Sequence, residues 1–108
     1  MSDATDAFDA LAARFEGALE RGRMMGRPTL QLGRRMVACL DGDVLGIRLD
    51  RAGPDLERAL TLPGTGLFAP GSGTRRFRDW AGLPVELADA WDEYVAASVA
   101  LLQRAGRS

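Results

Sequence analysis

The sequence contains no histidine, no lysine and no asparagine, and Cys39 is its sole cysteine. A disulfide framework and a Cys/His zinc site are therefore impossible within one chain. Ser–His and Cys–His nucleophile pairs and lysine Schiff bases are excluded on the same grounds, so an enzyme is not expected. No run of about 18 apolar residues occurs, which excludes a membrane-spanning helix. The opening Met1-Ser2-Asp3-Ala4-Thr5-Asp6 is acidic and has no apolar signal-peptide core, so a cytoplasmic location is expected. A formal charge of −1 argues against uniform coating of nucleic acid.

What is present is ordinary for a folded chain. The 108 residues are 46% hydrophobic and 27% charged, which predicts one globular domain over 1–108. Phe8, Leu11, Phe15 and Leu19 recur at helical spacing, predicting an amphipathic helix from Ala4 to about Arg21, closed by Gly22. Thr29–Leu32 and Met36–Leu40 read as strands around a turn at Gly33-Arg34-Arg35. Asp41-Gly42-Asp43 is a strong hairpin signal, and Val44–Leu49 follows with Leu45, Ile47 and Leu49 facing one way. Two-residue turns impose antiparallel neighbours. Asp55–Ala59, opened by Pro54, reads as a short helix, Gly66–Phe68 as a short strand, and Arg75–Ala81 as an edge strand carrying Trp80. Pro84 to about Ala105 reads as a long helix ended by Gly106.

That last helix carries Leu87, Trp91, Tyr94, Ser98 and Leu101 on one stripe, widened by Val95, Val99 and Leu102. The stripe is broader than a helix lying on one sheet needs, which points to a homodimer, unless the N-terminal helix covers the extra width. Trp80 and Trp91 are both expected in the core.

Few motifs carry chemistry. Gly64-Thr65-Gly66-Leu67-Phe68-Ala69 matches a dinucleotide-binding spacing, but that mechanism needs a strand before it and a helix after it. Pro63 and Pro70-Gly71 stand in those places, so the segment reads as a loop. Asp41 and Asp43 suit a turn, and Cys39 lies within an apolar strand where packing is expected. No catalytic, cofactor-binding or metal-ligating set is expected. The arginines are unevenly placed: residues 21–80 hold eleven of them against six acids, between two acidic ends. Arg75, Arg76 and Arg78 cluster beside Trp80, and Arg34 and Arg35 sit on a turn. These six residues are the candidate contacts for a partner or for nucleic acid.

The order of landmarks is informative as a set. Arg23-Met24-Met25-Gly26-Arg27-Pro28 follows the first helix, and Met36–Asp43 leads into Val44–Leu49. Leu67-Phe68-Ala69-Pro70-Gly71, Phe77-Arg78-Asp79-Trp80 and Leu83-Pro84 come next, before a helix with Trp91, Tyr94 and Ser98. From about residue 8 to 105 the chain resembles the N-terminal domain of TfoX (Sxy) competence regulators and, more distantly, YjbR-like proteins. Met24-Met25-Gly26 stands where many relatives have Met-Phe-Gly. The resemblance implies an α+β domain with an antiparallel meander, an N-terminal helix, a short middle helix and a long C-terminal helix. That topology is similar to type III secretion chaperones, which dimerise and bind polypeptides. It implies a non-enzymatic, regulatory protein-binding module without a cofactor; the alternative is a nucleic-acid-binding accessory protein using the arginine-rich sheet margin.

Overall fold

Asp3 and Asp6 in the first turn and Arg14 in the last favour a helix between them, and α1 spans Asp3–Arg14. It ends well short of Arg21. Gly17 takes a left-handed φ of +90° that breaks the helix, and Glu20–Met24 forms an unexpected strand, β1. Phe15 and Leu19 still turn inward, so their spacing reported burial rather than helix. The computed structural model describes residues 3–51, 53–71 and 76–105.

Five further strands follow: β2 (Arg27–Leu32), β3 (Arg35–Asp41), β4 (Val44–Arg48), β5 (Gly66–Phe68) and β6 (Phe77–Pro84). Helix α2 spans Pro54–Leu60 and α3 spans Ala88–Ala105, the latter preceded by a 3-10 turn at Val85–Leu87. The fold is α+β, with one six-stranded antiparallel sheet in the order β1-β2-β3-β4-β6-β5. Strand β6 lies inside the sheet and not at its edge, because it pairs with β4 on one side and β5 on the other; Leu45↔Leu83 and Ile47↔Ala81 bury all four side chains. Pro84 is the last residue of β6 rather than the first of a helix. Val85 donates its N–H to the Asp43 carbonyl at 2.7 Å, and the helix starts only after that contact. Arg75 and Gly106, assigned above to a strand and a helix end, lie outside the described residues.

Strand alternation then sorts the side chains between two faces. Leu30, Leu40, Leu45, Ile47, Ala81 and Leu83 face the helices and pack with Phe8, Leu11, Trp91 and Val95. A bulge in β3 opposite Leu30 adds Val37 to this side and leaves Met36 on the same side as Cys39. Helix α3 packs on β3, β4 and β6, and α1 packs on α3. Val95 and Leu102 are buried and Val99 is half-buried against the core, so the width of the α3 stripe is filled within the chain. Trp91 is a core residue, whereas Trp80 is not. Its neighbour Ala81 takes the core position, and alternation sends Trp80 to the opposite face. No helix among the described residues is long and apolar enough to cross a membrane.

Candidate functional site

The registers of the sheet place small residues side by side on the face away from the helices. Gly22 pairs with Thr29, Thr29 with Cys39, Cys39 with Gly46, Gly46 with Gly82, and Gly82 with Gly66. Residues paired this way share a face, so one low lane crosses all six strands. Phe68 lies across part of it. A Cβ on Gly46 would sit 2.5 Å from the Phe68 ring, so the ring rests directly on bare backbone there. Trp80 stacks on Phe68 with centroids 6.0 Å apart and planes 29° apart, and Phe77 is tilted against it at 6.3 Å.

The other half of the lane is left as a groove of about 340 Å³, within the range of ligand-holding clefts. Its floor is Cys39, one wall is Phe68, Phe77 and Trp80, and the other is Met24, Met25 and Met36. Arg27 and Pro70 complete it, and no helix residue lines it. Arg27 is not a free cation: its Nε donates to Asp41 Oδ1 at 2.8 Å, and this pair raises the arginine pKa further above its ordinary value. Asp41 Oδ2 also accepts the Gly71 N–H at 3.1 Å, which ties the loop after β5 to the start of β2. Burial pushes the Cys39 thiol up, outweighing the opposing pull of Arg27, so at neutral pH it is a protonated packing group and not a nucleophile.

Met25 forms the lip of the groove. It is 87% exposed, and its neighbour Met24 is 40% exposed. The two-residue turn joining β1 to β2 puts Met25 at φ +51° and Gly26 at φ +82°, the double left-handed geometry of a type I′ hairpin. Among the described residues, Met25 is the only non-glycine with positive φ.

The six sequence-predicted contacts divide into two groups. Arg76, Arg78 and Trp80 come together with Arg51, Phe77 and Asp79 around a second depression of about 310 Å³. Arg75 lies outside the described residues. Arg34 is exposed on the β2–β3 turn, and Arg35 donates to the Leu102 carbonyl at 3.1 Å, bracing the end of α3. Neither lines the groove or the basic depression. The methionines, Cys39, Phe68 and Phe77 were not foreseen as a site. Glycine inside two strands, at Gly46 and Gly82, was the one local sign of a close approach.

No protein-family model, curated protein or solved structure matches this chain. Its chemistry rests on the geometry above. Gly64–Ala69 runs through a turn into β5 with no helix following at Ala69 or Pro70, so these glycines cannot present helix amides to a pyrophosphate. Among the described residues, no three His, Cys, Asp or Glu side chains gather closely enough to hold a metal ion.

Proposed function

We propose that this chain is a non-enzymatic interaction module of the kind its TfoX-like N-terminal pattern implies, and that it engages a protein partner through the open face of the sheet. The observation that carries this reading is Met25. An apolar side chain is held almost fully in water on a strained backbone, at the lip of an apolar groove. Strain of that kind persists where a site makes use of it. Methionine walls are soft and adaptable, which suits binding to polypeptide surfaces. A photoreactive residue in place of Met25 is expected to crosslink a polypeptide, with capture lost on Trp80→Ala. The same residue in place of Leu60, an exposed leucine on α2, is expected to capture nothing. Equal capture from both positions contradicts the reading.

The α3 width from which a homodimer was expected is filled within the chain, so the surface we propose for a second copy is also the open face. Sedimentation equilibrium tests it: any mass above 11.6 kDa should return to that value on Trp80→Asp. A second reading draws on the meeting of Arg76, Arg78 and Trp80, which suits a nucleic-acid accessory protein. That reading requires binding to a labelled duplex that weakens steeply with salt.

A further inference from the structure

The apolar groove and the basic depression share a wall, because Phe77 and Trp80 line both. On the groove side the Arg27 charge is matched by Asp41. On the far side Arg51 is matched by Asp79 at 2.9 Å, but Arg76 and Arg78 are exposed and make no ion pair among the described residues. Among the described residues, Arg76 and Arg78 therefore place two unmatched positive charges just beyond the aromatic wall, while Arg23 at the methionine side turns back to the Gly26 carbonyl at 3.4 Å.

This arrangement selects among occupants. A nucleic-acid strand needs cations along its track and open ring faces, yet the one arginine lining the groove, Arg27, is paired with Asp41 and one face of Trp80 already rests on Phe68. The groove has room for one or two large side chains, with three flexible methionines to close on them. Building on the reading of the chain as a protein-binding module, we propose that the groove takes the apolar anchor of a short acidic segment of a partner protein. A carboxylate next to that anchor then reaches Arg76 and Arg78, whose planar guanidinium groups bind carboxylates in a bidentate manner. The groove supplies burial, and the two arginines fix which end of the segment lies where.

Fluorescence anisotropy with labelled short peptides tests this directly. One peptide carries Leu-Phe flanked by Asp and Glu, a second has serine flanks, and a third has arginine flanks; a labelled oligothymidine strand completes the set. The acidic peptide is expected to bind about tenfold tighter than the serine peptide, and the arginine peptide weakest. The double variant Arg76→Glu, Arg78→Glu should abolish the acidic preference while leaving the affinity for the serine peptide unchanged. Both positions are exposed, so the fold is expected to survive, as circular dichroism will show. Equal affinity for the acidic and serine peptides overturns the inference and leaves the module reading standing. Binding of no peptide, or tighter binding of oligothymidine than of every peptide, overturns both.

Discussion

At Met25 the β1–β2 turn demands positive φ at both central positions, and only Gly26 meets that demand without strain. A left-handed backbone costs an ordinary L-residue about 1–2 kcal/mol, and asparagine less. Met25→Asn is therefore expected to stabilise the fold by about 1 kcal/mol in urea denaturation, while weakening peptide binding because the methionine lip is gone. A loss of stability would show that the Met25 side chain packs for the fold instead. Cys39 gives a second residue-scale test. Burial holds its thiol protonated at a pH where the unfolded chain has already lost that proton. The unfolded state then binds fewer protons than the folded one, so stability falls as pH rises past about 8.5. Cys39→Ala should flatten this fall; identical slopes in urea titrations from about pH 7 to about pH 10 would remove the thiol from the account.

Among the elements, those legible in the sequence were the ones whose pattern and surroundings agree. Leu45, Ile47 and Leu49 alternate in sequence and are all buried, and the turn after Asp41 places Gly42 at φ +60°. Strand β1 was not legible, because Glu20-Arg21-Gly22-Arg23-Met24 has no apolar alternation and is strand only through its pairing with β2. Trp80 was misplaced for a related reason: which face it takes depends on the partners of β6, not on the residues beside it. Arg76, Arg78 and Trp80 were legible as neighbours in sequence, whereas the groove joins five separate strands and emerges only from their registers. Two substitutions test this sorting of faces. Trp91→Ala should cost about 3–5 kcal/mol, since the ring is fully buried, and Trp80→Ala markedly less. Gly46→Ala should displace the Phe68 ring, costing about 1–3 kcal/mol and shifting Trp80 fluorescence. An unchanged emission spectrum would mean that the Phe68 ring does not rest on Gly46 in solution.

The whole molecule is asymmetric across its sheet. All three helices lie on one side, and their apolar stripes are spent on a shared core with Trp91 at its centre. The other side carries a small aromatic cluster, a methionine-walled groove and unmatched arginines. This division places one tryptophan on each face, and their indole N–H signals report the faces separately. The most direct measurement is a two-dimensional ¹H–¹⁵N NMR titration with the acidic Leu-Phe peptide. The account predicts that the Trp80 indole signal moves together with the backbone amides of Cys39 and Gly46, while the Trp91 indole stays in place. Movement of the Trp91 indole and of amides in α1 and α3, with Trp80 unmoved, would contradict it.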